Sequence, residues 1–273
     1  MTLDATSAAA LVLDATEGGA SAVSLLSVAV GPRAGERLVL VVDADGAERR
    51  HGTLGTAERD AAGADAARSA LADPRHRDGL LTLPGGIEAY VEVRRPVQDL
   101  VIVGAGHIAL PMARMGAGLG FRVWVLDDRP DFATRERFPE AYRVLRADFS
   151  DPFKDVPVRG GTHILLVTRG HRYDYDCLVR VLRHDPAPAY IGMIGSRRRV
   201  RATFAQLLED GIPRSRLADI HAPVGLDIGA ETPEEIAVAV AAELVKVRRG
   251  GTGASLRDME VVAERYFEEE RER

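Results

Sequence analysis

Apolar positions along this chain fall into two patterns. In the second half they form short continuous runs: Leu100-Val101-Ile102-Val103, Phe121 to Leu126, His163 to Val167 and Ala189 to Ile194. Runs of that length, rich in Val, Ile and Leu, predict strands covered on both faces. A shorter strand is predicted at Val144-Leu145, and helices at Met112 to Gly120 and Asp176 to Leu182. Strands that alternate with helices imply a parallel sheet. The first third reads differently. A short helix over Ala8 to Glu17 precedes strands at Ala22 to Val30 and Arg37 to Val42, which flank Gly31-Pro32-Arg33-Ala34-Gly35 in a hairpin pattern. An alanine-rich helix over Ala57 to Ala72 follows, then strands at Leu80 to Leu83 and Ala89 to Val93 around Pro84-Gly85-Gly86. The polar break Arg94-Arg95-Pro96 marks a boundary.

The stretch Val103-Gly104-Ala105-Gly106-His107-Ile108-Ala109 joins a buried strand to a glycine turn and a helix start. Gly104 permits the tight turn, Gly106 lets the backbone approach a pyrophosphate, and Ala109 keeps helix and strand close. A helix N-terminus there offers free N–H groups and positive partial charge to an anion. Asp127 ends the next strand about twenty residues on, where a carboxylate takes ribose hydroxyls. The predicted class is therefore α/β, with a Rossmann-like parallel sheet over 97–250 preceded by a smaller mixed α/β domain over 1–96. A charged helical tail follows over 251–273.

Thr232-Pro233-Glu234-Glu235 predicts a firm helix start, with Thr232 as N-cap and Glu235 closing a capping box. The helix from there to Arg248 is apolar almost all round, which predicts burial against the sheet or against a second copy of the chain, and so a homodimer.

Composition narrows the function classes. The 273 residues are 46% hydrophobic and 28% charged, ordinary values for a globular protein, and exceed the usual size of one domain. A net charge of −5 supplies no basic field for nucleic acid. No signal peptide and no membrane-spanning run is read, so a cytoplasmic protein is expected. The single cysteine, Cys177, precludes an internal disulfide, and seven scattered histidines lack metal-ligand spacing. Cys177 follows Asp176 at an expected helix start, a position that lowers a thiol pKa, although Cys177-Leu178-Val179 also reads as core. No nucleophile and base pair is recognisable.

Ligands of open parallel sheets bind beyond the carboxyl ends of the strands. Three further loops follow such ends: Thr168-Arg169-Gly170-His171 with Asp174, Gly195-Ser196-Arg197-Arg198-Arg199 with Arg201, and Pro223 to Ala230 with Asp227. Cations at a helix start oppose its dipole unless an anion binds, which makes Gly195, Ser196 and Arg197 a candidate second phosphate cradle. Arg198, Arg199 and Arg201 read equally as a solvated face. His171 is a proton carrier, a ligand contact or a structural donor, and Asp227 takes a ligand hydroxyl or a backbone N–H. His107 either reaches the ligand or packs on the neighbouring strand.

Four ordered motifs carry a family resemblance: Val103 to Ala109, Asp127-Asp128-Arg129-Pro130 with Phe138-Pro139, Tyr190 to Arg197, and His221 to Ala230. Together they resemble the xanthine dehydrogenase accessory family of the XdhC and CoxI type. The resemblance implies a maturation factor that binds the molybdenum cofactor (molybdopterin or its dinucleotide form). Such a factor assists cofactor sulfuration with a cysteine desulfurase and passes the cofactor to a molybdenum hydroxylase of the xanthine dehydrogenase kind. On that reading Gly104, Gly106, His107, Ile108 and Ala109 surround one phosphate, Ser196 and Arg197 a second, and Asp127 a ribose or pterin donor. Asp128, Arg129, His171, Gly195 and Asp227 complete the candidate set.

Two departures stand out. The family's glycine-rich cysteine segment corresponds here to Gly52-Thr53-Leu54-Gly55, and its Thr-His-Asp-His loop to Thr168-Arg169-Gly170-His171. The competing readings are an NAD(P)-dependent oxidoreductase, with Arg129 accepting a 2′-phosphate, and a nucleotide-sensing regulatory module.

Overall fold

The structure, a computed structural model, describes residues 3–28, 34–43, 45–73 and 75–259. The predicted turn at Gly31-Pro32-Arg33 and the tail past Met259 lie outside them. The described residues form two sheets.

The first is antiparallel, in the order β3-β2-β1-β5-β4. Its strands are β1 (Ser21–Ser27), β2 (Arg37–Val42), β3 (Glu48–Gly52), β4 (Gly79–Leu83) and β5 (Ile87–Arg94). Helix α1 (Ala5–Glu17) covers one face, where Ala8 meets Ala22, Val39 and Val41. Helix α2 (Ala57–Ala72) covers the other, where Ala67 and Ala70 meet Val23, Leu25, Leu38 and Leu40. This two-sided cover explains why β2 reads as an unbroken apolar run. Strand β3, Glu-Arg-Arg-His-Gly, has no apolar signal; main-chain pairing to β2, from Val42↔Glu48 to Leu38↔Gly52, holds it at the edge.

The second sheet is parallel throughout, in the order β11-β10-β9-β6-β7-β8. It comprises β6 (Asp99–Val103), β7 (Arg122–Asp127), β8 (Arg143–Arg146), β9 (His163–Leu166), β10 (Tyr190–Met193) and β11 (Ile220–His221). Every residue of β6, β9 and β10 is buried. On one face lie α3 (Ala109–Gly118) and α7 (Pro233–Arg249), where Met112, Ala113, Val240 and Leu244 pack on Leu100, Ile102 and Leu165. On the other lie α4 (His171–Val181) and α5 (Arg197–Glu209), with α6 (Arg214–Ala218) beside β11. One face of α7 meets α3 and the sheet of the same chain, while Val238 and Val247 on α7 are exposed. Its capping box is formed: Glu235 N donates to Thr232 Oγ1 (3.3 Å) and Thr232 N to Glu235 Oε2 (2.9 Å). No helix among the described residues is long and apolar enough to cross a membrane.

The strand order reverses between β6 and β9, because β7 and β8 run outward on one side and β10 and β11 on the other. A crevice opens at the carboxyl edge at such a switch point.

Helix α1 begins at Ala5 rather than Ala8, and two helix starts on the parallel sheet also differ from the sequence reading. Helix α3 begins at Ala109 rather than Met112, with Pro111 in the first turn, where a missing N–H is tolerated. Helix α4 begins at His171 rather than Asp176, because Tyr173 packs on the core beside Cys177 and Leu178 and extends the buried face upstream. Cys177 is consequently in the helix interior and fully buried, and burial pushes its thiol far up. The expectation of a helix-start thiol is corrected on that ground.

Candidate functional site

Above the switch point lies a cavity of about 550 Å³, a size ordinary for a small-molecule site. Gly104, Gly106, His107 and Ile108 form its floor, Asp127, Arg129 and Phe132 one wall, and Thr168, Arg169 and Tyr173 another; Phe149, Val167, Glu231, Pro233 and Ile236 complete it.

The two glycines of the turn do different work. Gly104 has φ +108°, and a Cβ there would stand 2.6 Å from the Val167 carbonyl oxygen, so the glycine lets β6 and β9 close up. A Cβ on Gly106 would meet nothing within 4 Å. Its open side belongs to the cavity. Helix α3 then begins with Ile108 as its N-cap and without a side-chain cap, which leaves its dipole end for an anion.

Asp127 is almost wholly buried and surrounded by donors. Ala105 N reaches Oδ2 at 2.7 Å, Arg129 N and Nε reach Oδ1 at 2.9 and 2.8 Å, and Arg129 Nη2 reaches Oδ2 at 2.9 Å. Burial opposes ionisation, but these donors outweigh it and hold the carboxyl at about 2. The residue that the sequence assigned to a ribose is thus also the tie that fastens the glycine turn to the loop after β7. Arg129 lies flat on Phe132, its guanidinium carbon 3.6 Å from the ring centroid. Asp128 pairs instead with Arg169, Nη1 to Oδ1 at 2.6 Å and Nη2 to Oδ2 at 2.7 Å. Arg169 Nη2 also donates to the Tyr173 hydroxyl at 2.6 Å.

The remaining candidates stand apart from this cavity. Ala109 is buried beneath it. His171, exposed, opens α4 and is absent from the lining. Gly195, Ser196 and Arg197 are also absent from it. Ser196 is the N-cap of α5, its Oγ accepting from Arg199 N at 3.3 Å, while Arg197 and Arg198 face outward. Asp227 is exposed in the loop before α7. The structure thus gathers the glycine turn, the loop of Asp127 and Arg129 and the loop of Thr168 and Arg169, and leaves the proposed second phosphate cradle of Gly195, Ser196 and Arg197 outside the lining.

Two interior polar groups escaped the sequence reading. Arg199 turns inward rather than joining a solvated face: its Nε is 2.6 Å from the Oδ2 of fully buried Asp174, and its Nη2 donates to the Thr168 carbonyl at 3.1 Å. Burial raises the Asp174 carboxyl, opposed by Thr168 and Arg199. Glu243, buried on α7, accepts from the Tyr190 hydroxyl (2.7 Å) and Gly225 N (2.9 Å) and lies 2.7 Å from His221 Nδ1. It pins the loop that leads to Glu231 at the cavity. A lone acid in an apolar helix was the only available signal for it. Among the described residues, no three His, Cys, Asp or Glu side chains converge as a metal site.

Comparison with known proteins agrees with this architecture. The family model described as the XdhC Rossmann domain matches residues 100–244, more than half of the chain. The uncharacterised protein YqeB of Escherichia coli K12 is 33% identical over 170 residues, 62% of this chain and 31% of its own length. A Bacillus subtilis protein named as a probable component of xanthine dehydrogenase is 34% identical over 163 residues, 59% of this chain and 46% of its own. The chain therefore spans a third to a half of the length of these relatives. A solved structure described as a xanthine dehydrogenase from Bacillus halodurans shares the fold at TM-score 0.67 and 23% identity, covering 88% of this chain and 66% of that one. With a matched segment that contains the whole cavity floor and the parallel sheet from β6 to β11, the chain belongs to the XdhC family through its Rossmann domain.

Proposed function

We propose that this protein holds a phosphate-bearing cofactor of the molybdenum-cofactor type. It then delivers that cofactor to a molybdenum hydroxylase of the xanthine dehydrogenase kind, with a cysteine desulfurase as the sulfur source. The observation that carries the reading is the cavity itself. Its floor is a glycine turn open at Gly106, and two guanidinium groups and three aromatic rings line it. Such a lining suits a planar, anionic molecule. The name of the Bacillus subtilis relative adds support for a link to xanthine dehydrogenase.

The residues present fit the organic part of the cofactor. Gly106 and the start of α3 suit a phosphate, and Phe132, Phe149 and Tyr173 offer flat apolar contact to a pterin. The cofactor, when bound, supplies the metal centre that the hydroxylase uses. This chain contributes orientation and shelter. Cys177, the one thiol, faces the core between α4 and the sheet, so the lining holds no sulfur ligand.

The test is the identity of the retained molecule. Protein purified from cells that make molybdenum cofactor is denatured mildly and the released small molecule identified by mass spectrometry. A phosphorylated pterin is expected, and Gly106→Val, which fills the cavity floor, should retain at least tenfold less. Recovery of NAD(P) without pterin would overturn the carrier reading in favour of an oxidoreductase or a nucleotide sensor.

A further inference from the structure

The ion pair between Asp128 and Arg169 occupies an unusual place. Asp128 directly follows β7 and Arg169 follows β9 by three residues, and β6 lies between those strands. The pair therefore spans the carboxyl end of β6, over the crevice where a ligand enters. Both partners are accessible, with side-chain exposures of 38% for Arg169 and 32% for Asp128, so water competes for their contact.

The neighbouring carboxylate is in the opposite condition. Both oxygens of Asp127 are taken up by Ala105 N and by the backbone and guanidinium of Arg129 at 2.7–2.9 Å. A ligand diol would have to displace one of these buried contacts. Asp127 is thus already engaged, whereas the same wall offers cations. Arg129 lies fixed over Phe132, and Arg169 lines the same cavity with its fork held by a carboxylate. A phosphomonoester presents the same two-oxygen edge as a carboxylate and carries more charge.

We propose that Arg169 is a specificity residue for a phosphomonoester: the ligand's phosphate replaces Asp128 on the guanidinium fork, and the bridge over the crevice opens as it binds. The inference rests on the cavity being the ligand site. It adds that the ligand presents a terminal phosphate on the β7 side: in a dinucleotide this stands beyond the pyrophosphate at the glycine turn, and in molybdopterin, which has one phosphate, Arg169 takes that phosphate in place of the turn. Tyr173 steadies the released arginine through its hydroxyl (2.6 Å) and its ring (4.3 Å).

Two ligands carry such a group: a dinucleotide with a 2′-phosphate, and molybdopterin without a nucleotide extension. NADP⁺ and NAD⁺ are titrated calorimetrically into the full chain and into Asp128→Asn and Arg169→Met, with urea midpoints confirming that each variant is folded. If the phosphate is a 2′-phosphate, NADP⁺ binds at least tenfold tighter than NAD⁺. Asp128→Asn then widens the ratio threefold or more by removing the competitor, and Arg169→Met reduces it to within twofold. If the source is molybdopterin, protein purified from cofactor-producing cells retains the phosphomonoester pterin in the parent and in Asp128→Asn, and loses most of it in Arg169→Met. A purely structural bridge predicts that the two variants act alike, and that result overturns the proposal. Binding that is equally strong in all three proteins also overturns it while leaving the cavity assignment standing. Failure of every protein to take up either dinucleotide or pterin brings down the cavity assignment as well.

Discussion

Replacing each glycine of the turn by alanine separates folding from binding within three residues of chain. Gly104 has φ +108°, and the new Cβ would sit 2.6 Å from the Val167 carbonyl oxygen, 2.9 Å from its carbon and 3.2 Å from Thr168 Cα. All three are backbone atoms, so no side-chain rotation relieves the contact. The left-handed conformation costs about 1–2 kcal/mol for an alanine. Forcing the β9 loop away from β6 costs a further 1–3 kcal/mol or so. Together these effects predict that Gly104→Ala destabilises by about 2–5 kcal/mol, or several degrees to roughly 15 °C in Tm for a protein of this size. Gly106→Ala meets nothing within 4 Å and should change stability by less than about 0.5 kcal/mol, while placing a methyl group on the cavity floor. Urea unfolding followed by the fluorescence of Trp124, the single tryptophan, reports directly on the parallel sheet. The midpoint should fall for Gly104→Ala with an unchanged slope. A midpoint within about 0.5 kcal/mol of the parent would refute the close-approach argument, and an equal loss in both variants would refute the division of labour.

Two other measurements address the interior. Burial among Phe121 and Tyr190 holds the His163 imidazole at about 4, below its ordinary 6.5. The unfolded chain therefore takes up this proton first as the solution is acidified. The stability that the neutral ring contributes is complete above about pH 6.5 and is lost as pH falls from there toward 4, with about 2 kcal/mol gone by pH 5. His163→Gln should flatten that part of the pH profile of the urea midpoint; an unchanged slope would place the titration elsewhere. Arg199→Met leaves the Asp174 carboxylate buried without its cation and should cost about 3–5 kcal/mol. A second change, Asp174→Leu, should recover part of that loss in the same unfolding assay. A cost below about 1 kcal/mol for Arg199→Met alone would return Arg199 to the solvated face.

How much of this was legible follows the physics of each signal. Strands β6, β7, β9 and β10 announce themselves because burial on both faces demands an unbroken apolar run. Helix α7 does so because Thr232, Pro233 and Glu235 satisfy its first N–H groups locally. The polar edge strand β3 offered no such sign, since its stability comes from pairing with β2, a relation between residues and not a property of its own. The turn at Gly104 and Gly106 was visible as a motif. Which glycine serves the backbone and which serves the cavity depends on what stands opposite each one, and Val167 is more than sixty residues away in the chain.

The side chains of the site divide in the same way. The three cations Arg197, Arg198 and Arg199 are chemically identical in the sequence, and only the rotation of α5 against α4 turns Arg199 onto Asp174 and leaves the other two in water. Asp127 and Asp128 likewise differ only by the alternation of a strand end, which sends one carboxylate inward to Ala105 and Arg129 and the other across β6 to Arg169. The order of residues was enough to set the parallel α/β class, the glycine turn and the capped helix, because these depend on local periodicity, backbone freedom and neighbouring hydrogen bonds. Which charges are paired and which line the cavity was settled in the folded chain, because burial and partner choice come from residues brought together across the sheet.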